Sequence, residues 1–239
     1  MVTQDQIRKF ATKYQTSELN VMREYLHHLF LSYFYGQPKT SEIYFKGGTA
    51  LRIVYKSVRF SEDLDFSTNQ EDIPGIEDCL LEVLAKIGKE NVAATLREAK
   101  TTTGGYLSTI DFVLFGQVVP VQLEISFREK ENRGELLIIA SDFIPPYTAV
   151  VLIEDQLIAQ KMRALRARRQ PRDFYDLYFI LRKRLPIPDK KIILPEALKA
   201  LQTTDINFEN ELKQFLPKSQ WAIIRDFKQV LEREIQRFV

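Results

Sequence analysis

The stretch KGGTALRIVYKSVRFSEDLDF, from Lys46 to Phe66, decides how the rest of the chain is interpreted. A short, apolar, β-prone run over residues 41–45 leads into a turn at Gly47–Thr49, and a helical pattern follows over residues 50–55. Residues 60–67 then alternate between polar and apolar, which is the period of a strand with one polar edge. The sequence therefore predicts a strand, a glycine turn, a short helix and a second strand.

The glycine turn has the features of a phosphate-binding site. Glycine lets the backbone approach a phosphate closely, and the N–H groups at a helix start favour an anion. Thr49 adds a hydroxyl donor, and Lys46 adds a positive charge. The alternatives are a tight turn without a ligand and a solvated lysine. We predict that the phosphates of a nucleotide bind at Lys46, Gly47, Gly48 and Thr49.

Asp63 and Asp65 are two residues apart in the second predicted strand, so their side chains are expected to share one face. Neighbouring carboxylates repel each other unless a cation compensates. Mg²⁺ takes oxygen ligands from one or two carboxylates and from substrate phosphates. The 13 residues between Thr49 and Asp63 leave room for a helix and a returning strand, so the phosphates and the metal can meet at one end of the sheet. The alternative to a metal site is that Asp63 and Asp65 lie on a strand edge exposed to solvent.

A second metal ion would need a third carboxylate, because two such ions sit about 4 Å apart and clamp the attacking and leaving oxygens. Glu124 lies between Leu123 and Ile125 in an apolar strand pattern and points to the opposite face. It is the predicted third carboxylate, as a metal ligand or as the base for the acceptor hydroxyl. Asp111 has the same pattern and is the reserve candidate. The alternative for Glu124 is an exposed strand residue.

Around this stretch the chain consists of helices, then a mixed core, then a helical tail. Before the boundary, helices are predicted over residues 3–14 and 17–34, capped by Thr3 and Ser17, and over residues 76–89. Strands are predicted over residues 91–99, 107–115, 120–127 and 135–139. The predicted C-terminal helices cover residues 154–168, 172–184, 190–202, 207–214 and 218–238. Pro145-Pro146 marks a boundary. This order predicts an α+β fold, with a core domain over residues 1–150 and a helical domain over residues 151–239.

The segment KMRALRARRQPR, residues 161–172, carries six cations and no acid. Such a run suits phosphates or nucleic acid; a solvated helix face is the alternative. On a helical wheel Lys161 and Arg168 fall on the packed side, where a cation needs a phosphate or a carboxylate as partner. Asp176 lies in a helix that is apolar nearly all round and is the predicted carboxylate. Asp173 either stabilises the start of that helix or joins the site.

The composition excludes several classes of protein. Hydrophobic residues make up 45% of the 239 and charged residues 28%, so the chain is globular rather than disordered. Because Cys79 is the single cysteine, neither an intramolecular disulfide nor a cysteine-based zinc site is expected. No run of about 20 apolar residues occurs, so no membrane span is expected. We predict a protein of the reducing cytoplasm.

The strings FKGGTAL, Phe45–Leu51, and RFSEDLDF, Arg59–Phe66, resemble those of the AbiEii/AbiGii toxin family within the nucleotidyltransferase superfamily. This family includes the toxins of type IV toxin–antitoxin and abortive-infection systems and the related MenT toxins. The resemblance continues at Leu123–Ser126 and at Lys161–Asp176, and so it covers residues 41–180. The last part of the chain matches only as generic helices.

The resemblance implies a polymerase β-like core that transfers a nucleotide from an NTP with Mg²⁺ or Mn²⁺. In some members the acceptor is the 3′ end of tRNA, and a cognate antitoxin is a further implied partner. By position, Asp63 and Asp65 match the family's metal ligands, Lys161 matches its motif lysine, and Asp173 or Asp176 matches its late aspartate. The predicted catalytic residues are Asp63, Asp65, Glu124, Lys161 and Asp176, of which the first three bind metal, and the further cofactor contacts are Arg168 and Asp173.

Two other functions remain as alternatives. One is a catalytically silent nucleotidyltransferase-like module that binds RNA or a protein, and the other is a phosphotransferase on the same fold. The intact aspartate pair argues against the first, because a silent copy has no reason to keep two carboxylates that repel each other.

Overall fold

The computed structural model describes residues 1–238, which form two compact units. The first unit comprises Met1–Lys56 and Phe60–Leu152. The second comprises Ser57–Arg59 and the described chain from Ile153 onward. Strands and helices are both present in the first unit, whereas the second is helical, so the predicted α+β class with a helical C-terminal part is confirmed.

The first unit is built on a seven-stranded mixed sheet with the strand order β3-β4-β5-β2-β1-β7-β6. The strands are β1 (Ile43–Lys46), β2 (Leu64–Thr68), β3 (Ala93–Thr102), β4 (Gly105–Leu114), β5 (Gln117–Ser126), β6 (Gly134–Ile139) and β7 (Tyr147–Leu152). The β1–β7 and β2–β5 pairs are parallel, and the other neighbours are antiparallel. The two central strands, β1 and β2, are those of the glycine and aspartate motifs.

Four helices belong to the same unit. They are α1 (Gln4–Tyr14), α2 (Glu18–Phe34), α3 (Gly47–Ile53) and α4 (Ile73–Lys89). The predicted caps are confirmed: Thr3 accepts from the backbone N–H of Gln6, and Ser17 from that of Asn20. Phe34 of α2 packs against Phe66 of the sheet with ring centroids 5.2 Å apart. Burial of such aromatic faces explains why these helices lie on the sheet.

The second unit holds six α-helices within its described residues. They are α5 (Glu154–Arg168), α6 (Pro171–Lys183), α7 (Lys190–Thr203), α8 (Phe208–Leu212), α9 (Trp221–Arg225) and α10 (Phe227–Gln236). Aromatic rings form its core, since Phe227 lies 5.7 Å from Tyr175 and 5.0 Å from Phe208, centroid to centroid. No helix among residues 1–238 combines the length and the apolar character that crossing a membrane requires.

The prediction missed one strand and made the last helix too long. No strand was predicted between Pro145-Pro146 and the helix over residues 154–168, but β7 lies there and pairs with β1 through Val151 and Phe45. Its Tyr, Thr and Val residues favour a strand, and a proline may precede a strand without removing a ladder hydrogen bond. The long last helix is interrupted at Asp226, whose φ of −112° and ψ of 31° are not helical.

Candidate functional site

Three charged residues form a row across three neighbouring strands of the first unit. Lys46 pairs with Asp65 in the antiparallel β1–β2 ladder, and Asp65 pairs with Glu124 in the parallel β2–β5 ladder. Residues paired in this way point to the same face, and neighbouring strands lie about 4.8 Å apart. The structure therefore brings together Lys46, Asp65 and Glu124, three of the residues predicted for the site.

Gly47 places the backbone of the glycine turn against Asp65. It is the first residue of α3 and has a φ of +82°, in the left-handed region that favours glycine. A Cβ atom on Gly47 would lie 1.9 Å from Oδ2 and 2.7 Å from Cβ of Asp65. The N-cap residue, Lys46, provides no side-chain cap for the first turn. Since α3 has only seven residues, we attribute any anion binding here to backbone N–H groups rather than to a long helix dipole.

Asp63 lies outside the strand in which it was predicted. Because β2 begins at Leu64, Asp63 precedes it, and the rule of alternating faces does not apply to Asp63. The Thr49 hydroxyl, in a residue that is 1% exposed, donates to the backbone carbonyl oxygen of Asp63. This corrects the role predicted for the hydroxyl, which fixes the Asp63 backbone instead of facing a phosphate. The main-chain N–H of Thr49 stays the predicted phosphate contact.

Two buried residues that sequence reasoning missed hold Glu62, the residue before Asp63, one by its side chain and one by its backbone. Nη1 of Arg23 lies 3.0 Å from Oε1 of Glu62, and Nε2 of His27 donates to the backbone oxygen of Glu62 at 3.0 Å. Both residues belong to α2, and their i, i+4 spacing, which places them on one helix face, was the available signal. The entry into β2 is thus fixed from α2 as well as from α3.

Acidification is expected to destabilise the protein through His27. Burial lowers the pKa of His27 to about 3, from an ordinary value of 6.5. Between these values the unfolded chain binds a proton that the folded chain does not, so stability falls as the pH drops below 6.5. The loss is about 1.4 kcal/mol for each pH unit well below 6.5. Denaturant unfolding at pH 7.5 and pH 4.5 measures it.

The variant His27→Gln is the control for that experiment, because glutamine retains a donor for the Glu62 carbonyl and does not titrate. His28, whose pKa burial also lowers to about 3, is present in both proteins, so the part of the pH dependence that is lost in the variant is assigned to His27. The same pH dependence in the variant and the parent would contradict the assignment.

The donor set of the row fits a magnesium ion that arrives with a nucleotide. Within residues 1–238, no three His, Cys, Asp or Glu side chains are grouped so as to hold a metal ion. The predicted set of Asp63, Asp65 and Glu124 is therefore not preassembled, since Asp63 lies outside the paired strands. Mg²⁺ requires only one or two carboxylates when substrate phosphates and water complete its coordination. The pair Asp65 and Glu124 meets that requirement.

Lys46 supplies a positive charge next to this pair, because it lies opposite Asp65 on the neighbouring strand. Burial lowers the pKa of Lys46, and the negative charges of Glu129, Asp65 and Glu124 oppose that change without cancelling it. A half-buried ammonium beside two carboxylates favours negative ligands as further partners. Its position agrees with the phosphate contact predicted for Lys46, which stays a prediction.

The register favours Glu124 over Asp111 as the third carboxylate. Asp111 pairs with Pro120 on β5, four residues along that strand from Glu124, a separation of about 13 Å at 3.3 Å per residue. Its Oδ1 also lies 3.2 Å from Nη1 of Arg97. Asp111 is therefore remote from Asp65 and already has a cation beside it.

In the second unit, Asp176 is the centre of a buried ion-pair cluster. Its carboxylate, in a residue that is 2% exposed, accepts from Nε and Nη2 of Arg59 at 2.9 and 3.0 Å, and from Nζ of Lys161 at 2.7 Å. Burial alone would raise the pKa of Asp176, but the charges and hydrogen bonds of Arg59 and Lys161 outweigh burial and lower it. Asp176 was predicted to pair with Lys161 or an arginine; it pairs with both, and the sequence did not indicate that the arginine would be Arg59. The catalytic roles of Lys161 and Asp176 stay predictions.

The contacts of Asp173 match the first of its two predicted roles, stabilising the start of α6, and its contact with a cofactor stays a prediction. Its Oδ2 accepts from the backbone N–H of Gln170 at the start of α6, and its Oδ1 accepts from Nη2 of Arg168 at 2.7 Å. Both oxygens are thus engaged in capping the helix and in an ion pair. The Arg168 side chain is 49% exposed, so its predicted position on the packed side is wrong. As the last residue of α5, Arg168 reaches past the helix end.

The variant Gly47→Ala is expected to lose nucleotide transfer and about 1–3 kcal/mol of stability. The new Cβ would enter the space of the Asp65 carboxylate and would strain a left-handed backbone. Gly88→Ala is the matched control, because a Cβ at Gly88 meets nothing within 4 Å and alanine favours the helix. Denaturant unfolding and a transfer assay measure both. A Gly47→Ala variant as active and stable as the parent would show that this close approach is unimportant.

Comparison with known proteins gives the following matches. A family model described as the nucleotidyl transferase AbiEii toxin of a type IV toxin–antitoxin system matches residues 29–237. A candidate nucleotidyltransferase from H. pylori superposes with a TM-score of 0.56 and 17% identity, over 93% of this chain and 99% of that one. The structure of JHP933 from Helicobacter pylori superposes with a TM-score of 0.53 and 17% identity, over 93% of this chain and 95% of that one. At such identity the likeness to both structures shows the fold alone. No curated protein matches the chain.

Proposed function

Since the chain belongs to the AbiEii nucleotidyl transferase toxin family of type IV toxin–antitoxin systems, we propose that it moves a nucleoside monophosphate from an NTP to an RNA hydroxyl, such as the 3′ end of a tRNA. One observation carries the proposal for the site: Asp65 lies in register with Glu124 and against the backbone of Gly47. Two carboxylates and a glycine turn at one place are what a nucleotide with its metal ion requires.

In the proposed reaction, the backbone N–H groups of Gly47, Gly48 and Thr49 hold the triphosphate, and Lys46 offsets part of its charge. Asp65 and Glu124 hold Mg²⁺ or Mn²⁺, with Asp63 as a further ligand. When bound, the metal ion supplies positive charge for the phosphate oxygens and for the leaving pyrophosphate. The acceptor oxygen forms a bond to the α-phosphorus, the bond from the α-phosphorus to the oxygen that bridges to the β-phosphorus breaks, and pyrophosphate leaves with that oxygen. The hydroxyl proton passes to a carboxylate oxygen of Glu124.

The proposed site would then accelerate the reaction mainly by positioning the two reactants and by stabilising charge in the transition state. The segment that carries Asp63 is held by Thr49, Arg23 and His27, so little reorganisation is needed when substrate binds. Because NTPs and tRNA are present in the cytoplasm, we propose that the protein acts there. A cognate antitoxin is the protein partner that a type IV toxin–antitoxin system implies.

Labelled nucleotides test the transferred group. The protein is incubated with total RNA, Mg²⁺ and each of the four NTPs, labelled either at the α-phosphate or at the γ-phosphate. We expect label in RNA from one or more α-labelled NTPs and none from the γ-labelled forms. Label from the γ-phosphate on a protein or small molecule would instead identify a phosphotransferase. Absence of label from every NTP, with measurable RNA affinity, would favour a binding module.

A further inference from the structure

The two units carry charges of opposite sign. The second unit contains 19 Lys and Arg against 12 Asp and Glu, a net charge of +7, and the first contains 15 against 20, a net charge of −5. The chain's overall charge of +2 conceals this division. A polyanion is repelled at long range by the unit with the candidate site and attracted by the helical unit.

Part of the positive charge in the second unit lines a cavity of about 630 Å³ between α5 and α7. We call it the arginine cleft; its charged lining residues are Arg163, Arg166, Arg169, Lys199 and Glu196. All five are exposed, and the single acid is Glu196, which pairs with Nε of Arg166 at 2.9 Å. Four cations against one carboxylate leave a net charge of +3 in the lining.

The three arginines lie at the C-terminal end of α5. Arg163 and Arg166 are three residues apart in the helix, a rise of about 4.5 Å, and Arg169 is the residue that caps its end. Guanidinium groups recognise phosphate oxygens with two parallel hydrogen bonds. Lys199 of α7 faces them across the cleft. This arrangement suits a chain of phosphates better than a single one.

We propose that the arginine cleft binds the phosphodiester backbone of the acceptor RNA, an inference that rests on the proposed function for its choice of RNA as acceptor. None of the described lining residues is aromatic; besides the charges they are Ala, Leu and Thr. Unpaired bases are usually held by stacking on aromatic rings, whereas duplex RNA is held through its backbone. The cleft therefore recognises a duplex segment by charge and shape, without preference for base sequence.

The experiment compares two triple variants of the full chain with the same change of charge. The cleft variant is Arg163→Gln, Arg169→Gln and Lys199→Gln. The control variant is Lys183→Gln, Lys191→Gln and Lys218→Gln, three exposed residues of the same unit outside the cleft lining. Fluorescence anisotropy with labelled RNA hairpins of two different stem sequences gives the Kd at several salt concentrations. Binding of a fluorescent NTP in the absence of RNA serves as the readout for the candidate site.

We expect the cleft variant to bind both hairpins at least roughly tenfold more weakly than the control, with a slope of log K against log salt reduced by about 2–3. NTP binding is expected to be the same in both. Equal RNA affinity of the two variants would overturn the inference, and labelled RNA formed by both would leave the proposed function intact. If only the cleft variant bound RNA more weakly and neither the parent nor the variants formed labelled RNA, the cleft would stand as an RNA-binding surface and the proposed nucleotide transfer would be rejected. If the parent protein bound polyglutamate but not RNA, the cleft would be a surface for an acidic protein, and this too would overturn the inference.

Discussion

Replacing Asp65 by asparagine is expected to abolish nucleotide transfer, by at least about a thousandfold, without unfolding the protein. Asp65 is the one residue that contacts both parts of the candidate site, since it pairs with Glu124 in register and lies against Gly47. Removing its charge removes half of the carboxylate pair proposed to hold the metal ion, whose contribution to phosphoryl chemistry is several kcal/mol. Asp63→Ala is expected to lose transfer as well.

The stability of the Asp65→Asn variant gives a second and independent readout. Two carboxylates side by side on neighbouring strands repel each other, and Glu124 and Glu129 still oppose the charge of Lys46 when Asp65 is neutral, so the Tm should stay unchanged or rise. A residue that only supported the fold would show the opposite, a fall in the Tm together with the loss of activity. Measurement of the Tm and of label transfer on the same preparation separates the two cases.

Asp111→Asn is the matched control for Asp65→Asn. Asp111 is also an aspartate on the sheet, but it pairs with Pro120 and lies beside Arg97. Transfer by this variant should stay close to that of the parent. If Asp65→Asn retained full activity while Asp111→Asn lost it, the site would have been assigned to the wrong part of the sheet.

Replacing Asp176 by alanine is expected to cost about 3–5 kcal/mol of stability. The change would leave two cations without their common partner, Arg59 with a side chain 5% exposed and Lys161 with one 12% exposed. An unpaired charge that is withdrawn from water is among the largest single destabilising effects known in proteins. Since the free energy of unfolding of native proteins is only about 5–15 kcal/mol, the midpoint of urea denaturation should be strongly lowered.

A graded series keeps this prediction informative even if Asp176→Ala does not fold. Lys161→Met leaves the two-pronged Arg59–Asp176 pair intact, and so a smaller loss is expected. Glu82→Ala breaks an exposed pair with the same kind of short contact, 2.8 Å to Lys86, and should cost at most about 1 kcal/mol. If Asp176→Ala kept its stability but lost transfer, Asp176 would act on the substrate directly and the structural role argued for it would be wrong.

Much of the fold follows from patterns within a few residues of one another. The caps at Thr3 and Ser17 and the helix over Glu154–Arg168 were predicted from spacing alone and are confirmed. The strand β7 was missed because six residues after a double proline carry too little periodic signal to outweigh the helical pattern that follows. The choice between Glu124 and Asp111 could not be made from sequence, because both have the same local pattern.

By itself, the sequence predicted the residues of the candidate site and determined most of the helices and strands around them, since helix spacing, strand alternation and caps depend on interactions over two to four residues. Only the tertiary structure decided which of them meet. Glu124 lies beside Asp65 because β5 pairs with β2, and Arg59 meets Asp176 across 117 residues of chain. Such partners are set by strand order and by helix packing, in which a buried charge accepts only an arrangement that supplies its counter-charge. No local pattern contains that information.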